Sequence, residues 1–395
     1  MKVLQSPISF ERGRTMSRVV GIVILLGITC IGPGAILAAD SVYQFRSIEA
    51  ERVTVMEGGG YFPSAVLLQN GDLIVVGRGG GRHHFTRGAG LMLARSHDLG
   101  KTWSRPTWIV GGRHTQDIRD GCLTQLKDGT LILGFLVIEF EADNVPNQDN
   151  VPAYVTRSKD NGYTWEVPVR VDVSPFTFGS PVGPIIELPS GTLLMSVITT
   201  YTQEGLAGNI WRSPEERGFF GYVFRSRDGG KTWGDRSLIG KHWDDETHML
   251  RLPSGRLLAA IRTAALDARF TAGVMMSESS DEGRTWHDLG EVTEPGVNSP
   301  GHLLRLRDGR ILLTYGDRAR PFLGVEAMVS RDEGRTWDRD DRFQLVWDAP
   351  TVDVGYPSSI QLSDGRIFTV YYTVDDLAKA PASAKAAAVI WRIPD

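Results

Sequence analysis

The sequence predicts an all-β protein, a six-bladed β-propeller with four antiparallel strands per blade and a ring closed by an N-terminal strand. Two repeats and the mismatch between them lead to this prediction. The pattern S-x-D-x-G-x-T-W occurs five times, at intervals of roughly 50 to 70 residues, which is one supersecondary unit per copy. A glycine-containing turn between two apolar segments occurs six times, between those copies. Five copies of the first repeat against six of the second indicate that one strand of the last blade comes from another part of the chain.

The first repeat, which we name the tryptophan turn, reads as the hairpin turn between the third and fourth strands of a blade. Its Ser or Asp side chain folds back onto the backbone, its Gly adopts a positive φ, and its Trp packs against apolar surface. The five copies occupy residues 96–103, 158–165, 226–233, 279–286 and 330–337.

The second repeat, the glycine turn, joins the first and second strands of each blade. Its copies occupy residues 67–75, 126–133, 188–193, 252–257, 306–311 and 362–367. In the last blade, residues 385–393 can form a third strand, but the chain ends before a fourth. We predict that residues 51–56 supply this strand and close the ring, because closure removes two exposed sheet edges.

Composition and the N-terminal segment predict the localisation of the protein and exclude one class of partner. The chain of 395 residues has a net charge of -4 and no basic run, which argues against nucleic acid as a partner. Residues 1–39 combine a basic start, an apolar segment and small residues at the end, as in a secretory signal peptide. We therefore expect a propeller domain at residues 40–395 that is secreted or periplasmic, monomeric, and without stable membrane insertion after cleavage. An uncleaved leader that anchors the chain is the alternative.

Strand direction predicts which end of the propeller carries function. The first strands begin, and the second strands end, on one rim, which we name the site rim, whereas both kinds of turn lie on the opposite rim. Carboxylates, phenols and guanidiniums fall on the site rim and suit an anionic sugar, because planar guanidiniums bind carboxylates bidentately. The candidates for substrate contact or catalysis are Tyr61, Arg78, Asp120, Glu246, Arg262, Arg318, Arg320 and Tyr356.

The tryptophan turns resemble the Asp boxes of the sialidase (BNR-repeat) superfamily, and the site rim resembles that of bacterial exo-α-sialidases. In that family a Tyr nucleophile is paired with a Glu, an Asp is the acid/base, and three Arg bind the substrate carboxylate. The resemblance implies Tyr356 as the nucleophile and Glu246 as its partner. It further implies substrate contacts for Asp120, for Arg262 and for either Arg318 or Arg320. The pairing has a chemical reason: a phenol, with a pKa of about 10, is a weak nucleophile until a neighbouring carboxylate takes its proton.

The sequence departs from the family pattern at two positions. Tyr61 stands where the family has its first Arg, and Arg78 lies on the strand that pairs with it. The segment before the first tryptophan turn, residues 79–90, contains no carboxylate where the family has its acid/base Asp. It offers His83 and His84 instead, and we predict that one of them is the general acid, since imidazole titrates nearer neutrality than a carboxyl group.

Together these observations predict a secreted glycoside hydrolase that cleaves a terminal acidic, sialic-acid-like sugar with retention, needs no cofactor or metal, and has a glycan as its partner. Two other functions remain open. The same turns occur in propellers that only bind glycans or act as scaffolds. A polysaccharide lyase acting on uronic acids, with Tyr and His as base and acid, would use the same residue types.

Overall fold

The computed structural model describes residues 45–46, 48–141, 145–147, 150–200, 219–240, 244–263, 273–294, 296–297, 299–319 and 323–394. The predicted leader at residues 1–39 and the candidate Arg320 lie outside the described residues. No helix in these ranges has the length and apolar character needed to cross a bilayer.

Six antiparallel sheets form the blades of a β-propeller, as predicted. Two strands precede the first blade, β1 (Phe45–Arg46) and β2 (Ala50–Glu57). Blade 1 contains β3 (Gly59–Leu67), β4 (Leu73–Gly79), β5 (Gly90–Ser96) and β6 (Thr107–Val110). Blade 2 contains β7 (Gln116–Gln125), β8 (Leu131–Glu139), β9 (Ala153–Ser158) and β10 (Val169–Arg170). Blade 3 contains β11 (Gly179–Glu187), β12 (Leu193–Thr200), β13 (Phe219–Ser226) and β14 (Gly234–Ile239).

The remaining blades follow the same order. Blade 4 contains β15 (Asp244–Arg251), β16 (Leu257–Thr263), β17 (Val274–Ser279) and β18 (His287–Glu291). Blade 5 contains β19 (Gly301–Arg305), β20 (Ile311–Asp317), β21 (Gly324–Ser330) and β22 (Arg342–Val346). Blade 6 contains β23 (Val354–Gln361), β24 (Ile367–Val374) and β25 (Ala384–Trp391), with a short 3-10 helix at Leu377–Lys379 before β25.

The N-terminal strand closes the ring, which confirms the prediction for residues 51–56. Strand β2 pairs antiparallel with β25 and places Val53 opposite Ala388, so blade 6 combines both ends of the propeller. The two-residue strand β1 was not predicted. It pairs in parallel with β22, with Phe45 opposite Arg342, and is the fifth strand of blade 5.

The tryptophan turns have the predicted internal hydrogen bonds. In the first copy the Ser96 hydroxyl donates to Asp98 Oδ1 at 2.8 Å and accepts from the Gly100 amide at 2.9 Å. The ring of Trp103 lies 5.6 Å from that of Phe368 in blade 6. The same Ser–Asp and Ser–Gly contacts recur in the other four copies. These turns are structural, and the Trp of each copy packs against an apolar cluster shared by two neighbouring blades.

The apolar core lies between neighbouring blades, as where Val75 of blade 1 and Val370 of blade 6 share one cluster. Near the propeller axis, side chains of one first strand accept hydrogen bonds from backbone amides of the next. The acceptor and donor pairs are Ser64 and Leu123, Thr124 and Ile185, His248 and Leu303, His302 and Ser359, and Ser358 and Ala65. These hydrogen bonds connect the first strands across five of the six blade boundaries.

A β-bulge interrupts the first strand near the site rim in blades 1, 2, 4 and 6, where two residues oppose one on the second strand. Three bulge residues have a left-handed backbone, with φ of 53° at Phe62, 58° at Asp120 and 53° at Tyr356. Bulky residues rarely adopt this conformation, and bulges redirect side chains. The bulges turn these side chains toward the propeller axis.

Candidate functional site

The first strands of all six blades surround a pit on the propeller axis, open toward the site rim. Each blade contributes to its wall. One lining residue from each blade, in order, is Phe62, Asp120, Val182, Glu246, His302 and Tyr356. The pit lies where strand direction predicted it, at the start of the first strands.

Tyr356 and Glu246 meet in this pit, together with Arg262. The Tyr356 hydroxyl donates a short hydrogen bond to Glu246 Oε1. Arg262 Nη1 lies 3.0 Å and 2.8 Å from the two oxygens of Glu246, and 3.2 Å from the Tyr356 hydroxyl. Burial opposes ionisation of Glu246, but the charge of Arg262 and the hydrogen bond from Tyr356 lower the pKa of this carboxyl. Glu246 is therefore an ionised acceptor for the phenol proton.

The local sequence Gly355-Tyr356-Pro357 explains how the phenol is aimed. Gly355 has a φ of 125°, and a Cβ atom there would lie 2.7 Å from Ser299 Oγ. Only glycine fits both the backbone conformation and this close approach. The next residue, Tyr356, occupies the bulge, so β23 delivers the hydroxyl to Glu246 on β15.

Arg318 stands beside the phenol at the end of β20. Its Nη2 donates to the Tyr372 hydroxyl at 2.8 Å, and its Nε donates to the Val354 carbonyl at 2.9 Å. The guanidinium carbon is 5.6 Å from the centroid of the Tyr356 ring. These contacts hold a positive charge beside Tyr356.

Sequence reasoning missed Arg119, which brings a third guanidinium to the same region from β7. Its guanidinium carbon lies 5.1 Å from the Phe62 ring centroid and 5.3 Å from that of Phe85. Its Nε is 3.5 Å from Asp120 Oδ1. The position could have been found, because Arg119 directly precedes Asp120 at the start of a first strand. Asp120 itself also accepts from the Ser180 hydroxyl at 3.3 Å.

Arg78 takes a different position from the one predicted. Its side chain is fully buried, and its Nε and Nη2 donate to the two oxygens of Asp117 at 2.9 Å and 2.8 Å. It also donates to the carbonyls of Arg82 and His84. Arg78 thus forms a buried ion pair and holds the loop that follows β4, instead of facing the pit. A buried guanidinium needs its carboxylate partner.

Tyr61 is also buried, behind the pit. Its ring centroid lies 5.1 Å from that of Tyr372 and 5.9 Å from that of Phe62. Burial raises the pKa of the Tyr61 phenol to about 12. At the position where the family pattern has its first Arg, this chain therefore has a neutral aromatic side chain that supports its neighbours.

The two predicted histidines differ in their surroundings. His83 Nδ1 lies 2.6 Å from Asp353 Oδ1 and 3.2 Å from the Tyr372 hydroxyl. Its ring packs 5.3 Å from Phe62, whose ring is also 4.8 Å from that of Tyr356. His84 is exposed, with its ring 5.5 Å from that of His83. The structure thus brings His83, but not His84, into the network around the pit.

Asp353 is the second residue that sequence reasoning missed. It precedes Tyr356 by three positions, just before β23 begins, and no motif marks it. Burial opposes its ionisation, but the hydrogen bond and charge of His83 lower the pKa of the Asp353 carboxyl. Burial lowers the pKa of His83, and Asp353 partly offsets this effect. Within the described ranges, no three His, Cys, Asp or Glu side chains are grouped closely enough to hold a metal ion.

Comparisons with known proteins agree with this architecture. The model of the BNR repeat-like domain family matches residues 71–369. No curated protein matches the sequence. A Dyadobacter fermentans protein of unknown function superposes with a TM-score of 0.69 at 25% identity, over 87% of this chain and 98% of that one.

Two further solved structures share the fold. The intramolecular trans-sialidase of Ruminococcus gnavus superposes with a TM-score of 0.62 at 14% identity, over 91% of this chain and 99% of that one. A variant of a sialidase from Streptococcus pneumoniae gives a TM-score of 0.62 at 15% identity, over 86% and 70% of the two chains. Because the family model spans more than half of the sequence, the chain belongs to the BNR repeat-like domain family.

Proposed function

We propose that the protein is a retaining glycosidase that removes a terminal acidic, sialic-acid-like sugar from glycans. A propeller of the sialidase superfamily is suited to cleaving or binding glycans, and the choice of cleavage rests on one observation. This observation is the contact of the Tyr356 hydroxyl with Glu246, reinforced by Arg262. A binding site has no need of a partly buried carboxylate that accepts the phenol proton.

The phenol suits an anionic substrate. A carboxylate nucleophile would be repelled by a sugar that carries its own carboxylate next to the reacting carbon, whereas a neutral phenol approaches without this repulsion. The phenol becomes reactive as Glu246 takes its proton. Sialidases with a Tyr nucleophile are a known exception to the two-carboxylate rule for glycosidases.

The charges around the pit support an acidic sugar as the substrate. The charge of Arg262 is largely balanced by Glu246, with Nη1–O distances of 3.0 Å and 2.8 Å. Arg318 contacts a phenol, a carbonyl and the face of the Tyr356 ring, and so brings a second positive charge beside the proposed nucleophile. Arg119 lies between two aromatic rings, with the Asp120 carboxylate at 3.5 Å. We assign Arg119 and Arg318 to the carboxylate of the sugar.

The reaction proceeds in two half-reactions. First, the Tyr356 oxygen bonds to the anomeric carbon, Glu246 takes the phenol proton, and protonated His83 gives a proton to the departing oxygen as the glycosidic bond breaks. Second, water attacks the same carbon and gives a proton to His83, while the bond to Tyr356 breaks and Glu246 returns the phenol proton. Two inversions at one carbon produce net retention.

The test is a panel of sialosides and uronosides, assayed with the wild type, Tyr356→Phe and the control Tyr163→Phe. Tyr163 lies exposed in a tryptophan turn on the opposite rim. We expect hydrolysis of a sialoside by the wild type and the control, loss of at least about 100-fold in Tyr356→Phe, and a first product with the configuration of the substrate by NMR.

Other results would support different functions. Binding of acidic glycans by calorimetry with no turnover of any substrate would indicate a binding propeller. An unsaturated, ultraviolet-absorbing product from a uronoside would indicate a lyase. Full activity in Tyr356→Phe would contradict the proposed nucleophile.

A further inference from the structure

We propose that Asp353 is the positioning residue of a proton-transfer pair with His83: it fixes the imidazole tautomer and links the proton donor to the anion-binding Arg318. This inference rests on the proposed glycosidase function and deepens it. In this proposal a His–Asp pair between blades 1 and 6 does the work of the acid/base carboxylate that residues 79–90 lack.

The geometry at His83 Nδ1 fixes which ring nitrogen carries the hydrogen. An ionised carboxylate can only accept, so the 2.6 Å contact with Asp353 Oδ1 places a hydrogen on Nδ1. In the neutral ring, Nε2 then carries the lone pair, and in the charged ring it carries the transferable proton. A carboxylate behind a histidine serves in this way to hold the tautomer and stabilise the imidazolium.

The Tyr372 hydroxyl connects Asp353 to Arg318. It donates to Asp353 Oδ1 at 2.8 Å and accepts from Arg318 Nη2 at 2.8 Å. Asp353 Oδ1 thus receives hydrogen bonds from both His83 and Tyr372. The guanidinium that faces the sugar is therefore held by the same carboxylate that holds the histidine.

The surroundings keep Asp353 ionised and leave His83 able to exchange protons. Burial raises the pKa of Asp353, but His83, Tyr372 and Arg318 together lower it below its ordinary value. His83 remains partly open to solvent, with 30% of its side chain exposed. The titratable and charged groups that face His83 are Asp353, Tyr61, Tyr372, His84, Arg119 and Arg318.

The chain itself provides a matched control on the opposite rim. His97 Nδ1 lies 2.6 Å from Asp72 Oδ1, the same contact as at His83. Its side chain is 68% exposed, and it belongs to a tryptophan turn. A His–Asp contact far from the pit should have no effect on proton transfer to a leaving group.

The experiment compares Asp353→Asn, His83→Ala and His97→Ala with the wild type on two sialosides. One substrate has a sugar as its leaving group, which needs protonation, and the other has a nitrophenol, which departs without it. For both site variants we expect kcat/KM to fall about 100-fold or more with the sugar leaving group and less than about 5-fold with the nitrophenol. We also expect Asp353→Asn to move the alkaline limb of the pH profile to lower pH, because the imidazolium loses its carboxylate. His97→Ala should match the wild type.

A second measurement does not depend on turnover. Nitrogen-15 shifts of histidine-labelled protein should show His83 as the Nδ1–H tautomer in the wild type, and cooperative thermal unfolding should show that Asp353→Asn folds. An Nε2–H tautomer at neutral pH would overturn the proposal, as would equal losses on both substrates in a folded Asp353→Asn. If the wild type cleaves neither substrate but has the Nδ1–H tautomer, the glycosidase function fails while the positioning contact stands.

Discussion

The Tyr356 hydroxyl and the Glu246 carboxylate form a hydrogen bond between residues 110 positions apart, joining the first strand of blade 6 to the first strand of blade 4. Arg262 Nη1 contacts both partners, at 2.8 Å and 3.2 Å. Three groups that share their hydrogen bonds act as one unit. Substitutions among them should therefore be strongly non-additive.

We expect Glu246→Gln to lower kcat/KM at least about 100-fold and to lower the free energy of unfolding by about 1–3 kcal/mol, because Arg262 is left without its carboxylate. Tyr356→Phe should cause a similar loss of rate with little loss of stability, since Glu246 and Arg262 remain paired. The double variant should be no slower than the single ones. Steady-state kinetics and urea unfolding of all four proteins complete the cycle. Losses of rate that simply multiply would show that the groups act independently.

We expect Arg119→Met to weaken binding of the acidic product sugar about 10- to 100-fold, because a guanidinium–carboxylate contact is lost while the aliphatic stem still packs on Phe62. The methyl ester of the same sugar should bind the variant and the wild type equally. Calorimetry on both ligands provides the measurement, and Arg105→Met, at an exposed site beyond the first tryptophan turn, is the control. Equal weakening for acid and ester would argue against a carboxylate contact.

The histidines of the first strands should make stability depend on pH. Burial lowers the pKa of His302 to about 3, and its Nδ1 accepts from the Ser359 amide at 3.4 Å. The unfolded chain binds a proton at a pKa of about 6.5, so this contribution to stability is complete above that pH and is lost as pH falls toward 3. His302→Asn keeps an acceptor that does not titrate, and its urea midpoint should fall less steeply over this range. His287→Asn, at an exposed site, should behave as the wild type; an unchanged slope in His302→Asn would contradict the assignment.

Ring closure should depend on the last strand. Trp391 is 1% exposed, and its Nε1 donates to Thr369 Oγ1 at 3.0 Å. We expect Trp391→Ala to lower the free energy of unfolding by about 3–5 kcal/mol. Trp347, which is 54% exposed, is the matched site, and Trp347→Ala should change stability by no more than about 0.5 kcal/mol. Similar effects at both sites in urea unfolding would contradict the proposed importance of the last strand, β25.

The repeats alone determined the architecture. A tryptophan turn forms from contacts within eight residues, such as the Ser96 hydrogen bonds to Asp98 and Gly100, so its sequence specifies its structure. Counting these turns against the glycine turns predicted six blades and the closing strand β2. Strand direction then predicted the rim that carries Glu246, Arg262 and Tyr356, because each first strand begins at the same end of the propeller.

Only the tertiary structure decided which side chains meet. Arg119 and Asp353 belong to no repeat, and they join the network around the pit because blade packing brings distant strands together. Arg78 has the right residue type and lies on the right rim, but it forms a buried ion pair with Asp117. Packing of blade 1 against blade 2 brings β4 and β7 together and so creates this pair. His83 and His84 are adjacent residues of the same type, so the sequence does not distinguish them. The contact of His83 with Asp353 across the blade boundary does. Local hydrogen bonds fix turns from sequence, whereas contacts across hundreds of residues depend on how the whole ring closes.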